Sequence, residues 1–110
     1  MVDIVSDLSD LGKPVYIEGE APKDLPNEYF TISEDYTSDH LSADNEPKEI
    51  LYEFTIRYFT NNAKTLYEGL SMALSLLKRK GYITSGVGYS APSYGEWYSR
   101  QADVKKLEYL

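Results

Sequence analysis

A chain of 110 residues and 12.5 kDa, 42% of it hydrophobic, holds one domain with a modest core and excludes two full domains. Its 18 acidic residues against 11 basic ones, a formal net charge of -7, oppose binding to exposed phosphate backbones or anionic membranes and argue against a dedicated nucleic-acid reader. The absence of cysteine excludes disulfides, thiolate metal sites and cysteine nucleophiles and suits a reducing compartment.

The opening MVDIVSDLSD has neither a basic region nor an apolar run, and no stretch approaches the roughly 20 apolar residues of a membrane span. We therefore expect a soluble chain without a removed leader. Residues Ile4, Val5, Leu8 and Leu11 follow a weak helical spacing, which reads as a short helix or a docked arm. Gly12, Lys13 and Pro14 end it. Val15, Tyr16 and Ile17 then form a short strand, and Pro22 and Pro26 in the turn-rich stretch behind it keep that strand at a sheet edge.

From Glu28 to Tyr36, Phe30, Ile32 and Tyr36 share one parity and Tyr29, Thr31, Ser33 and Asp35 the other, which predicts one buried and one wet face. The segment KEILYEFTIRYF is the clearest strand. Ile50, Tyr52, Phe54, Ile56 and Tyr58 alternate with Leu51, Glu53, Thr55 and Arg57, and Phe59 closes the run. Between these strands the polar stretch from Thr37 to Lys48 reads as a loop, longer than the usual hairpin connection of about two to five residues. We expect it to be mobile in the free chain and to act as a docking arm, with Leu41 as its apolar anchor beside His40, Asp44 and Glu46.

Residues 63 to 80 carry Ala63, Leu66, Tyr67, Leu70, Ala73, Leu74 and Leu77 on one helical face. Asn61 or Asn62 can cap this helix, Lys78, Arg79 and Lys80 complement its dipole, and Gly81 can end it. The stretch YITSGVGYS after it fits a strand with two glycines, APSYGE a loop, and Trp97 to Tyr109 a last strand. In that strand the apolar parity changes between Val104 and Leu107, which predicts a bulge or bend there. The elements add up to an α+β fold over residues 1–110, a single domain: an antiparallel β-sheet packed by one main α-helix, with the short N-terminal helix as an addition. Leu66, Leu70, Leu74 and Leu77 should meet Phe30, Ile32, Tyr52, Phe54 and Ile56 of the sheet. The 11 tyrosines, each with an apolar face and a polar tip, suit half-buried strands or contact surfaces.

Charge is uneven along the chain: six acids and two bases in residues 1–27, eight acids and one base in 28–53, four acids and eight bases in 54–110. A solvated acidic surface explains the middle block by itself. An acidic front half and a basic rear half also suit head-to-tail contacts between copies, acidic residues of one meeting Arg57, Lys78, Arg79 or Lys80 of the next.

Catalytic signals are weak. His40 is the sole histidine, placed among Ser38, Asp39 and Ser42, and a polar loop positions a nucleophile and base poorly. The carboxylate pairs Glu34 with Asp35 and Asp44 with Glu46 lack the spacing of a calcium loop, and the glycines of SGVGYSAPSYG follow a helix where a phosphate loop would precede one. The inventory points to a binding or structural protein, with no catalytic residue, cofactor or metal.

The segments PVYIEGEAP and LPNEYFTI, the long polar hairpin connection, the strand ending in FTIRYFT, the helix NNAKTLYEGLSMALSLLKRKGY and the aromatic strand after EWYSR, taken in order, span residues 13 to 110. In that order they resemble the small tail-completion, or tail-terminator, proteins of long-tailed bacteriophages. Members of that family often begin with a fuller amphipathic helix than residues 1 to 11 allow. The resemblance implies a virion structural protein that assembles as a ring, commonly a hexamer. The ring would complete the tail tube and join it to the head connector, after assembly in the host cytoplasm. Its partners would be its own copies, the tail tube protein and the head connector protein, with DNA only as passing cargo and no membrane. A competing reading is an acidic DNA mimic that inhibits a nucleic-acid enzyme, against which the basic rear segment argues. A small hydrolase built on His40 with Ser38 or Ser42 is the remaining alternative.

Overall fold

Six strands and two helices, counted among the described residues, follow one another as α1 (Ile4–Ser9), β1 (Val15–Ile17), β2 (Glu28–Leu41), β3 (Pro47–Thr60), α2 (Leu66–Arg79), β4 (Ile83–Thr84), β5 (Tyr89–Tyr94) and β6 (Trp97–Tyr109). The structure, a computed structural model, describes residues 2–41, 47–84, 86 and 88–109. Strand order across the sheet is β1-β2-β3-β6-β4. Because β3 lines one side of β6 from Tyr98 to Tyr109, β5 and β4 share the other side.

The α+β class holds, with one correction to the sheet. β1 pairs β2 in parallel, Val15 opposite Phe30 and Ile17 opposite Ile32, while the other pairings are antiparallel. The sheet is therefore mixed, and β1 sits at the edge as its flanking prolines require.

The N-terminal alternation between helix and arm resolves as a helix. Asp3 caps it by accepting the Ser6 amide at 3.1 Å, and Ile4 and Leu8 are buried in the core. α2 begins through a 3-10 turn at Ala63–Thr65 capped by Asn62, and ends where Gly81 takes a left-handed φ of 94°. Its Leu70, Ala73, Leu74 and Leu77 pack with Phe30, Ile32, Phe54, Ile56, Tyr58, Ala102 and Val104, and Leu66 and Tyr52 lie partly buried against that cluster. The expected register is thus observed. Gly69 is required in α2 because a Cβ there would clash with the hydroxyl-bearing edge of the ring of Tyr58, a residue that is completely buried.

Five expectations from the sequence are corrected. The segment read as a loop from Thr37 to Lys48 is largely strand: β2 runs on to Leu41 and β3 starts at Pro47, with His40 opposite Glu49 and Leu41 opposite Pro47. The ladder bonds are made by backbone groups, so polar side chains do not prevent pairing at a wet strand. Asp44 and Glu46, with Ser42, lie outside the described residues. APSYGE is likewise strand up to Tyr94, since an edge strand tolerates Pro92, whereas the two strand pieces of YITSGVGYS are separated around Gly86 and Gly88.

The bulge lies elsewhere than expected. β3 and β6 stay in register without a break from Glu49 opposite Tyr109 to Thr60 opposite Tyr98, and the register shifts fall in β2, between Glu34 and Tyr36 and between His40 and Leu41, and in β5 between Ala91 and Tyr94. Parity changes in β6 because Lys106 occupies a core-side position. Its ammonium lies 4.6 Å from the Tyr82 ring centre and donates to the Lys80 carbonyl at 2.8 Å. Finally, the face of β2 predicted to be wet is buried at its start. Tyr29 stacks on Phe59 with ring centres 4.8 Å apart, meets Trp97 edge-on at 5.4 Å and touches Tyr16, so four rings cover the back of the sheet there.

Candidate functional site

The two edges of the sheet differ in shape and in charge. At one edge, β1 stops at Ile17, where the Glu20 amide turns back to the Ile17 carbonyl and Gly19 adopts a φ of 88°. Among the described residues β1 pairs β2 only as far as Ile32, so β2 runs on past it as the outer strand. A recess of about 220 Å³ opens there, walled by Val5, Ile17, Ile32 and Phe54 with Asp3 and Glu34 at its rim. Ile17 is 51% exposed beside it. Acid follows acid at the bulge. Thr37 donates to Glu34, Ser33 donates to Asp35 at 3.0 Å, and Thr55 reaches both Asp35 and, at 3.1 Å, Asp103. Charges on an outer strand, and a bulge within it, are the usual protection of an open edge against indiscriminate pairing.

At the other edge, Lys78 on the last turn of α2 stands over β4. Together with Ser71, Leu74, Ser75, Thr84 and Gly86 it lines a shallow depression of about 180 Å³. The Ser71 hydroxyl oxygen is buried there with no hydrogen-bond partner among the described residues. Lys78 and Arg79 are exposed.

The four basic residues named from the sequence do not form one patch. Arg57 lies on the back of the sheet, donating to Gln101 at 3.1 Å and facing Glu18 at 3.5 Å. Lys80 turns inward to α1, donating to the Asp7 carbonyl at 3.0 Å and pairing with Asp10. Only Lys78 and Arg79 remain exposed at the helix end.

Lys80 belongs to a polar clamp between α1 and α2. Tyr82, 3% exposed, donates its phenolic hydrogen to Asp7 at 2.7 Å, and burial first, then the Asp7 carboxylate, push its pKa well above the ordinary tyrosine value. A second network joins the segment before β1 to β2 and β3. Tyr58 donates to Glu28 at 2.6 Å and Lys13 pairs with Glu28 at 2.8 Å. Burial alone would raise the Glu28 carboxyl, but the Lys13 and Tyr58 hydrogen bonds outweigh it and hold its pKa below the usual value.

Sequence reasoning placed Ile17 on an edge strand but missed Glu34 as an edge residue and Tyr29 as a buried one. The signal for Tyr29 was present in the off-parity aromatics Tyr29, Phe59 and Trp97. Among the described residues no group of three or more His, Cys, Asp or Glu side chains could hold a metal ion. No described helix is long and apolar enough to cross a membrane. No family model matches the chain, and no curated protein matches it.

Proposed function

We propose that this chain is a structural subunit of a ring that completes a phage tail tube and joins it to the head connector, acting without catalysis. The observation that carries the reading is the separation of charge between opposite edges of one sheet. Glu34 and Asp35 stand along the β1–β2 edge, and Lys78 and Arg79 stand at the end of α2 by β4. Surfaces that differ on two sides of a subunit make heterologous contacts, which close into rings or run on as filaments. The molecule measures 53 by 27 by 24 Å. Six copies side by side along the 27 Å width close on a mean diameter of about 50 Å and leave a hole of about 25 Å, enough to pass a DNA duplex.

In this reading the hairpin of β2 and β3, with strands of 14 residues each, is the arm that meets the tail tube. Deleting the gene from its phage is the test. The proposal predicts filled heads and finished tails that stay unjoined until the chain is supplied from a plasmid. Normal joined particles from the deletion, together with loss of an early inhibitory effect on a host nucleic-acid enzyme, would instead favour the DNA-mimic reading.

A further inference from the structure

We infer that Glu34 of one copy pairs with Lys78 of the next copy, the end of α2 in one subunit seating on the recess above β1 in its neighbour. The inference rests on the ring reading and adds to it the surface by which the copies meet. It starts from the register. Glu34 lies opposite Phe54, Phe54 opposite Val104, and Val104 opposite Thr84, so one row of residues crosses the sheet from the β2 edge to the β4 edge. Phe54 and Val104 are core residues, which places this row on the helix-covered face. Glu34 rims the apolar recess at one end of the row, and Lys78 shares its depression with Thr84 at the other.

A rotation axis parallel to the strands brings copies together side by side without shifting them along the strands. The β4 edge of one subunit then arrives at the β2 edge of its neighbour with the two ends of this row level and on the same face. β1 stops beside Ile32, just below Glu34, and the space above it admits the side chain of Lys78. The exposed hydroxyl of Ser75 lies in the same depression as Lys78 and offers a visiting carboxylate a further donor, while Ile17 is exposed beside the recess to be covered by the same contact.

Charge chooses this arrangement over a two-fold one. Two β2 edges packed on each other would set Glu34 and Asp35 against their own copies, and two α2 ends would set Lys78 and Arg79 against theirs. Like charges across an interface are unfavourable, so the acidic edge takes the basic one. The contact is exposed and repeats around the ring, and exposed pairs are screened over about 10 Å at 0.1 M salt, so the ring loosens as salt rises.

Charge exchange tests the pairing. The full chain, Glu34→Lys, Lys78→Glu and the double variant are compared by sedimentation over a range of concentrations at low salt, with circular dichroism to show that each is folded. Each single change should weaken self-association about tenfold, and the double variant should recover most of the loss. Glu34→Gln and Lys78→Gln, which remove charge without reversing it, should each cost less. Rings that form equally well from the single variants, or a double variant that recovers nothing, overturn the pairing and leave the ring reading standing. A chain that stays monomeric at every concentration also overturns the pairing. The ring reading itself fails separately, if the gene deletion leaves heads and tails joined.

Discussion

Tyr82 and Asp7 are 75 residues apart in sequence and joined by a 2.7 Å hydrogen bond, and this bond ties the six-residue α1 to the segment that leaves α2. A helix that short has little stability of its own, so its place depends on Ile4 and Leu8 in the core and on the clamp of Tyr82 and Lys80. Tyr82→Phe removes the donor and leaves the carboxylate of Asp7 to Lys80 and water. We expect a loss of about 1.5 kcal/mol in chemical denaturation and faster amide exchange in α1 than in α2. Exchange rates in α1 identical to those of the parent chain would show that the clamp does not hold it.

Alkaline pH probes the same tyrosine. Burial raises the pKa of Tyr82, Tyr58 and Tyr29 in the folded chain, with Asp7, Glu28 and Tyr16 respectively adding to the rise. For a raised tyrosine the stabilisation is complete below the unfolded value near 10 and is lost as pH climbs above it, because only the unfolded chain can ionise there. Stability measured by urea titration should be flat in this respect up to about pH 9.5 and then fall, each such group contributing up to about 1.4 kcal/mol per pH unit. Tyr82→Phe should make the fall shallower. An equal slope in the variant would remove Tyr82 from the account.

Glu28 gives the opposite sign. Its lowered pKa means that the Lys13 and Tyr58 contacts stabilise the fold above the ordinary carboxyl value and cease to do so as pH drops through the folded value. Lys13→Met should therefore be less stable than the parent at neutral pH and converge on it in acid. A constant gap between the two from pH 7 to pH 2 would contradict the assignment.

Gly69→Ala separates propensity from packing. In an exposed helix the change gains about 1 kcal/mol, but here the new methyl group meets the Tyr58 ring. A net loss of about 2 kcal/mol is expected from overpacking, and a gain on thermal unfolding would mean that Tyr58 moves aside freely.

Strand β3 was legible because Ile50, Tyr52, Phe54, Ile56 and Tyr58 alternate in a run that only a half-buried strand satisfies, and α2 because its leucines recur on one face above a glycine stop. The outer parts of the β2–β3 hairpin were not. Ser38, Asp39 and His40 carry no apolar alternation, and the backbone bonds that pair them leave no mark on side-chain pattern. The parity change in β6 was visible, but its cause was a lysine over a tyrosine ring and not a bulge. For the site, composition identified Lys78 and Arg79 as basic but could not tell them from Arg57 and Lys80, which meet Glu18 and Asp10 of their own chain. Glu34 acquires meaning only through the register that sets it level with Thr84, which no local pattern encodes.

The salt response follows from the edge charges. Assemblies of the full chain should shrink toward monomer between low salt and about 0.5 M salt, as seen by light scattering. Assemblies that persist unchanged would show that apolar contact outweighs the Glu34–Lys78 pair.

The most direct measurement of the central claim is immunogold electron microscopy of purified phage particles with an antibody against this chain. The account predicts label confined to the junction of head and tail, absent from the particles' other surfaces. Particles whose head–tail junctions are exposed to the antibody and carry no label, with the chain recovered only in the soluble lysate, would contradict it.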